Sequence, residues 1–264
     1  MPRKRKASQG DLFANAKAAA GQTDRPSTFR QAVAARRSPR PRTESSGVEK
    51  KRTWLSATAI ESMRRCPRCF WLDRNQGIRQ PEGIVSRLAN RFDVVIKRYF
   101  DLYRGTNELP PMVAGRVKGK LQHPFQEKYW HPIDDRYGYY GKLDECLVSD
   151  NHTYTPVDHK TASSDPNARE LIPAYQFQLD SYAFLLEQNG RPTTGIGHLI
   201  YFFPGHGDRL HHGFPMEISV KTLKTNPDKV VPELKKAVTI LVSPLPKPTP
   251  DCNFCTYVEQ VKKF

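Results

Sequence analysis

Apolar positions three and four residues apart predict helices in several parts of the chain. The clearest run lies in Ile84–Arg104, where Leu88, Phe92 and Leu102 belong to one stripe of an amphipathic helix. A first helix is expected to run through Met63, and either Ser56 or Thr58 could cap its first turn. Two further helices are expected, one from Pro166 to Gln188 with a possible break at Pro173, and one from Pro227 to Leu241.

Dense apolar and aromatic runs between these helices predict strands. Tyr139–Val148 and Tyr154–Asp158 are separated by turn-forming residues, while Gly197–Phe203 has the character of a buried strand with Gly213–Val220 pairing beside it. The passage 105–135 is rich in Pro and Gly and is expected to be mostly loop. The order helix, strand, strand, helix, strand, strand, helix predicts an α/β fold with a mixed central sheet flanked by helices.

Charge and composition divide the chain into two parts. Residues 1–52 hold 14 Lys and Arg against 4 Asp and Glu, and their only aromatic side chains are Phe13 and Phe29. Such a segment cannot bury enough apolar surface to offset the entropy of ordering. We therefore expect a disordered basic tail over 1–52 and one folded domain over 53–264, which holds enough apolar residues for a sizeable core.

The tail and the formal net charge of +15 favour an acidic partner such as DNA. The run Pro2–Lys6 is compatible with a nuclear localisation signal, a nucleic-acid arm or a solvated tail without a specific role. The sequence shows no secretory signal and no apolar stretch of the roughly 18 residues that a membrane span needs. We expect a cytoplasmic, nucleoid-associated protein without a membrane partner, or a nuclear one in a eukaryotic host.

One short segment of the tail has a sharper resemblance. Gln9-Gly10-Asp11-Leu12-Phe13 is similar to the peptide with which bacterial DNA polymerases and repair proteins bind the sliding clamp. In that resemblance Gln9, Leu12 and Phe13 would fill the groove of the clamp, and a disordered tail with a few anchors suits such a pocket. The alternative is that Leu12 and Phe13 begin a weak amphipathic turn.

Two Cys-x-x-Cys pairs lie near the two ends of the expected folded domain. They are Cys66 with Cys69 and Cys252 with Cys255, and Cys146 is left over. A two-residue spacer lets both sulfurs of a pair reach one centre, as in zinc sites and in iron–sulfur sites. The alternatives are small buried residues or a disulfide, and an intracellular location disfavours the disulfide. We expect a structural centre that joins the end of the domain to its start.

Two acidic residues and a lysine lie on the expected neighbouring strands. Asp144 and Asp158 could together hold Mg²⁺ or Mn²⁺, and Lys160, two residues after Asp158, points to the same face of its strand. Gln178 and Tyr182 are one helical turn apart and share a helix face. This combination predicts a metal-dependent phosphodiesterase site. The alternative is an ordinary strand-end acid and an exposed, salt-bridged strand edge.

These motifs resemble those of the PD-(D/E)XK nucleases, in particular the RecB-like branch that includes the CRISPR-associated exonucleases. The resemblance covers most of residues 54–258 and rests on Gly141-x-x-Asp144, Asp158-x-Lys160, Gln178-x-x-x-Tyr182 and the flanking cysteines. It implies a restriction-endonuclease-like core and a DNA exonuclease or flap-type nuclease of recombination, repair or CRISPR spacer processing. Other DNA-processing proteins would be further partners. The alternatives are an inactive DNA-binding module and a restriction-type endonuclease.

The resemblance also implies a role for each residue of the site. Asp144 and Asp158 would bind the metal ion together with the backbone carbonyl of His159, and Lys160 would orient the attacking water and stabilise charge on the scissile phosphate. Gln178 and Tyr182 would position the lysine or the DNA backbone.

The chain departs from that branch in two respects. An upstream histidine ligand is missing, and Asp93 is the residue that could replace it as a third ligand for Mg²⁺. Relatives with a [4Fe-4S] cluster have one upstream and three downstream cysteines, whereas here the cysteines divide two and two. The resemblance favours a [4Fe-4S] cluster on Cys66, Cys69, Cys252 and Cys255, and the even division suits a structural zinc ion equally well.

Overall fold

The computed structural model describes residues 52–81, 86–167, 169–207, 213 and 215–264. The expected disordered tail lies outside these residues, and so do the clamp-binding anchors Gln9, Leu12 and Phe13. The division into a tail and one folded domain therefore stays a prediction.

The described residues form a mixed α/β structure. Its helices are α1 (Ala57–Arg65), α2 (Pro67–Gln76), α3 (Ser86–Asp101), α4 (Pro173–Gln188), α5 (Val230–Val242) and α6 (Asn253–Val261). Its strands are β1 (Thr53–Leu55), β2 (Lys120–Leu121), β3 (Lys128–Pro132), β4 (Tyr137–Lys142), β5 (Glu145–Val148), β6 (Tyr154–Thr161), β7 (Ile196–Pro204) and β8 (Met216–Lys224).

The strands form two mixed sheets. The smaller has the order β1-β4-β3, with β1 parallel and β3 antiparallel to β4. The larger has the order β2-β5-β6-β7-β8, in which β6 and β7 are parallel and the other neighbours are antiparallel. The chain passes from the smaller to the larger sheet between β4 and β5. The α/β fold class predicted from the sequence is confirmed.

Two hydrophobic cores lie on opposite faces of the five-stranded sheet. Successive residues of β7 alternate between them, since Leu199 and Tyr201 belong to the core formed with α1, α4 and α5, while Ile200 and Phe202 belong to the core formed with α3. Helix α4 is apolar on most of its circumference because it is buried between the two sheets. This central helix brings its few polar side chains to the strands of both sheets.

The structure corrects the predicted strand Tyr139–Val148. The chain forms two strands there, β4 and β5, in different sheets, with Leu143 and Asp144 between them. Apolar residues continue through the break because Leu143 is fully buried, so hydrophobicity alone could not mark it. Asp144 therefore lies between two sheets and not within the central one.

The observed ends of the helices differ less from the predicted ones. Helix α4 begins at Pro173, a residue whose fixed φ suits the first helical turn, and not at Pro166. Helix α1 begins after Ser56, whose hydroxyl accepts a hydrogen bond from the backbone N–H of Ala59 at 3.3 Å. None of the helices in the described ranges is long and apolar enough to cross a bilayer.

Candidate active site

Asp144 lies where the chain leaves one sheet and enters the other. Its Oδ2 accepts a hydrogen bond from the backbone N–H of His159 at 3.0 Å, at the point where β5 no longer pairs with β6. Gly141 precedes this turn, and a Cβ there would lie 2.6 Å from Leu185 and 3.3 Å from Tyr182. The glycine of the Gly-x-x-Asp motif therefore lets α4 pack closely beside the strand that carries the acid.

Asp158 and Lys160 lie on β6, on the face that is covered by α4. Asp158 is 0% exposed, and its Oδ2 lies 2.5 Å from the Lys160 ammonium. The contact is a close, charge-assisted ion pair between a fully buried carboxylate and the Lys160 ammonium. A buried carboxylate oxygen of this kind is suited to bind a cation.

Gln178 and Tyr182 connect α4 to this ion pair. The Lys160 ammonium donates to Gln178 Oε1 at 2.9 Å, and Gln178 Nε2 donates to the Tyr182 hydroxyl at 2.7 Å. The Tyr182 hydroxyl donates to the carbonyl of Lys142 at 3.0 Å and lies 3.4 Å from Asp158 Oδ1. The structure thus brings together four of the residues that the sequence singled out, in one hydrogen-bonded network beside Asp144.

The two carboxyl groups have opposite pKa shifts. Burial raises the pKa of Asp158 to about 7, the Lys160 ammonium opposes the rise, and the neighbouring Asp144 carboxylate adds to it. Burial also disfavours the charged form of Asp144, but His159 and the Lys97 ammonium hold its pKa below the usual range of a carboxyl. A divalent cation bound between the two carboxyl groups would neutralise both charges and favour their ionised forms.

The raised pKa of Asp158 predicts that this side chain destabilises the metal-free protein at high pH. A carboxyl whose pKa is raised from about 3.8 to about 7 on folding favours the folded state most below the unfolded value, and this stability is lost as the pH rises towards 7. In chelator at pH 8, Asp158→Asn is expected to increase the free energy of unfolding by roughly 1–3 kcal/mol.

Urea unfolding at two pH values checks this expectation. The gain should become small at pH 4, where Asp158 is already protonated. Asp228→Asn, at an exposed position, is the matched control and should change little at either pH. A destabilised Asp158→Asn protein at pH 8 would contradict the expected cost of the buried charge.

Asp93 does not reach the other two carboxylates directly. The ammonium of Lys97, one turn further along α3, lies 3.0 Å from Asp93 Oδ1 and 3.0 Å from Asp144 Oδ1. Within the described ranges, no three acidic side chains have ligand oxygens within 4.8 Å of one another. The third-ligand assignment of Asp93 therefore stays a prediction, and Lys97 holds a positive charge between the two acids.

This position predicts that Lys97 competes with a divalent ion. Removing the ammonium in Lys97→Met is expected to tighten Mn²⁺ binding severalfold, because the ion no longer has to displace a cation from Asp144. The electron paramagnetic resonance signal of free Mn²⁺ measures the affinity. The exposed Lys235→Met is the control, and weaker Mn²⁺ binding by Lys97→Met would show that the ammonium does not occupy the ion's place.

His159 presents its backbone and its side chain in different directions. Its carbonyl points to the same strand edge as its N–H, which donates to Asp144, so this oxygen also lies on the side of the acids. Its ring packs against Phe100 and Phe202 in the opposite core, and burial lowers its pKa to about 4. The backbone carbonyl is thus the group of His159 that can serve as a ligand.

The sequence interpretation missed two residues of the network. Lys97 follows Asp93 by four residues, and Tyr175 precedes Gln178 by three, so helical spacing was the available signal. The ring centroid of Tyr175 lies 4.5 Å from the Lys160 ammonium, where the ring can stabilise the positive charge. Tyr175 thus stabilises the charge of Lys160, and Lys97 places a positive charge between Asp93 and Asp144. Neither residue belongs to a recognisable sequence motif.

The four paired cysteines form a separate cluster at the other end of α1. Their Sγ atoms all lie within 4.8 Å of one another, and the separations are 3.9 Å for Cys66–Cys255, 3.6 Å for Cys69–Cys252 and 3.6 Å for Cys69–Cys255. These separations are far longer than the roughly 2.05 Å of a disulfide. The cluster joins α1 and α2 to α6 and is positioned to hold a metal ion.

The thiols of the cluster differ in their pKa values. Burial alone would raise the pKa of Cys66, but hydrogen bonds from the backbone at Cys69 and Thr249 and from neighbouring thiols lower it to about 6. Burial raises the pKa of Cys69 to about 11. Cys146 lies outside the cluster, is buried, and has its pKa raised to about 12 by burial, so it behaves as a core residue.

Comparisons with known proteins found solved structures with low sequence identity and low TM-scores. No family model and no curated protein sequence matches the chain. The crystal structure of the protein SSO0001 is 16% identical with a TM-score of 0.46 and covers 81% of this chain and 87% of its own. An alkaline exonuclease from Laribacter hongkongensis is 11% identical with a TM-score of 0.38 and covers 79% of this chain and 91% of its own. The function therefore has to be inferred from the site itself.

Proposed function

We propose that this protein is a metal-dependent deoxyribonuclease that hydrolyses phosphodiester bonds. The observation that supports the proposal most strongly is the fully buried Asp158 carboxylate, which lies beside Asp144 and forms an ion pair with Lys160. An acid pair that can bind a cation, next to a fixed ammonium, provides both charges that phosphodiester hydrolysis requires.

The oxygen donors at this site suit Mg²⁺ or Mn²⁺. Asp144, Asp158 and the carbonyl of His159 would hold the ion, with Asp93 as a further ligand once Lys97 moves aside. When bound, the ion lowers the pKa of a coordinated water and neutralises charge on the phosphate. This donor set contains only oxygens, in contrast to the sulfur set of the cysteine cluster.

The other residues act on Lys160 and on the phosphate. Gln178 Oε1 and the Tyr175 ring fix the ammonium of Lys160, which stabilises negative charge on the scissile phosphate and orients the attacking water. Tyr182 holds Gln178 in turn and stays a neutral hydroxyl, because burial raises its pKa. The chain itself provides no nucleophile in this reaction.

We further propose an exonuclease of the RecB-like branch that acts in recombination, repair or CRISPR spacer processing. The joint presence of the acid pair, the lysine and the Gln–Tyr pair in one network supports an active enzyme over an inactive DNA-binding module. The cysteine cluster favours this branch over a restriction-type endonuclease. Binding of the tail to a sliding clamp is a separate proposal that rests on Gln9, Leu12 and Phe13 alone.

A cleavage assay with defined DNA ends tests the activity. The purified full chain is incubated with linear and circular DNA, single-stranded and double-stranded, in Mn²⁺, in Mg²⁺ or in chelator. We expect nucleotides to be released from linear DNA in the presence of either ion and not in chelator, while circles stay intact. Cleavage of circles would overturn the exonuclease assignment, and unchanged cleavage in chelator would overturn the metal dependence.

For the cysteine cluster we propose a single zinc ion in place of the [4Fe-4S] cluster. Four sulfurs about 2.3 Å from one tetrahedral ion are separated by about 3.8 Å. Three of the six separations are 3.6–3.9 Å, and all six are within 4.8 Å. In a cubane each cysteine binds a different iron atom, which spreads the sulfurs further apart. The metal content and the visible spectrum distinguish the two. One zinc per colourless chain is expected, and a brown protein with iron and sulfide would overturn the proposal.

A further inference from the structure

The outer face of the three-stranded sheet carries an unusual group of side chains. Alternate residues of β3 and β4 point inward, where Tyr129 and Tyr139 are fully buried. The outward positions hold three aromatic residues that contact one another. This aromatic platform consists of Trp54, Trp130 and Tyr140.

The platform is partly exposed to solvent, and Trp54 meets Trp130 edge-on, with an angle of 74° between the two rings. Trp130 stacks on its cross-strand neighbour Tyr140 with ring centroids 5.1 Å apart and an angle of 22°, and Trp130 is 44% exposed. Trp54 lies against Trp130 and across Gly138, where a Cβ would lie 2.3 Å from the indole ring. The glycine thus lets a large ring lie across the strand, and an aromatic surface faces solvent.

Positive side chains border the platform. Lys128 and Lys142 are exposed cross-strand partners directly beside Trp130 and Tyr140, and the guanidinium of Arg52 lies 5.6 Å from the Trp54 ring centroid. Lys142 is paired with Glu127 at 2.9 Å in a half-exposed contact. These cations place positive charge at the border of the platform, where it can contact a polyanion.

The platform shares one residue, Tyr140, with the lining of the candidate active site. Tyr140 and Lys142 line a pocket of about 250 Å³ that also contains Asp144 and Gln178. The four residue-to-residue steps from Tyr140 to Asp144 span at most about 13 Å of extended chain. A ligand stacked on the platform is therefore within a few nucleotides of the acids.

We propose that the aromatic platform binds unpaired bases of single-stranded DNA and guides that strand to the active site. Bases can stack on protein rings only when they are not stacked in a duplex, and the flanking cations would contact the phosphates. The role of guiding a substrate rests on the proposed nuclease function, whereas binding of single strands does not. The preferred substrate is then a single strand or a frayed end.

Fluorescence of the full chain carrying Asp158→Asn, in chelator, tests the binding without cleavage. Trp71→Phe removes the third tryptophan, so that only Trp54 and Trp130 report. Oligo(dT) is expected to quench the emission, and a blunt hairpin duplex of equal length should bind at least severalfold more weakly. Trp130→Ala should raise the Kd for oligo(dT) about 10-fold, as expected for the loss of one stacked base.

Matched variants make the outcome decisive. Tyr257→Ala removes another exposed aromatic ring, on α6, and should leave the Kd unchanged. Trp130→Phe keeps a smaller stacking surface and should give an intermediate Kd, which separates stacking from a folding defect. Equal Kd values for Trp130→Ala and Tyr257→Ala would overturn the platform. A change of oligomeric state in Trp130→Ala by light scattering, with unchanged Kd, would instead identify the face as a protein interface.

Discussion

Replacing Lys160 by alanine is expected to lower the rate of DNA cleavage at saturating Mn²⁺ by roughly 10²–10³-fold. The ammonium is the positive charge of the protein nearest to Asp158, and both Gln178 and Tyr175 hold it in place. In the proposed mechanism the metal ion and the aromatic platform bind the DNA without Lys160, so the KM should change much less than kcat. Steady-state cleavage of labelled single-stranded DNA measures both constants.

Two further variants separate a chemical role of Lys160 from a structural one. Lys236→Ala removes an exposed lysine of α5 and should cleave at the wild-type rate. Gln178→Ala loosens Lys160 without removing its charge, so a smaller decrease of kcat is expected. An unchanged kcat in Lys160→Ala would show that this lysine has no part in the reaction.

Replacing Cys252 by serine is expected to release the metal of the cysteine cluster and to lower the melting temperature by about 10 °C. Cys252 lies immediately before α6, and its thiol is within 3.6 Å of that of Cys69. Without the ion, α6 loses its main connection to α1 and α2, because no side chain of α6 is fully buried. Calorimetry and metal analysis on the same preparation measure the two effects together.

The leftover cysteine provides the control for that variant. Cys146→Ser changes the same atoms at a fully buried position outside the cluster, so it should keep the full metal content even if it is less stable. Full metal content in Cys252→Ser would contradict a four-cysteine site. A loss of metal without any loss of stability would show that the ion does not hold the terminal helix.

The pattern of apolar residues along the sequence predicted the helices and strands that bury a continuous apolar face or run. The stripe of α3 follows from apolar spacing and β7 from a dense apolar and aromatic run, and both lie within three residues of the predicted bounds. The break at Asp144 was not predictable in this way. It depends on a tertiary feature, the transfer of the chain from one sheet to another beneath α4, and Leu143 is as buried as its neighbours in the strands.

The sequence allowed the residues of the site to be predicted, but the positions of their side chains relative to one another were less predictable. Asp158 and Lys160 share a face because strands alternate, and Gln178 and Tyr182 because helices repeat. The position of Lys97 between Asp93 and Asp144 depends on how α3 packs over β6, and spacing along the chain cannot reveal it. The aromatic platform likewise arises from the pairing of three strands, two of which are short or were expected to be loop.

The most direct test of the central proposal is the single-turnover rate of phosphodiester cleavage by Asp144→Asn and Asp158→Asn with saturating Mn²⁺. Asn keeps the shape of each side chain and removes the charge that is proposed to bind the ion. The proposed mechanism predicts a decrease of at least about 10³-fold in each variant. Asp228→Asn, which changes an exposed acid far from β6 in sequence, should cleave at the wild-type rate. Equal rates for all four proteins would contradict hydrolysis at this site.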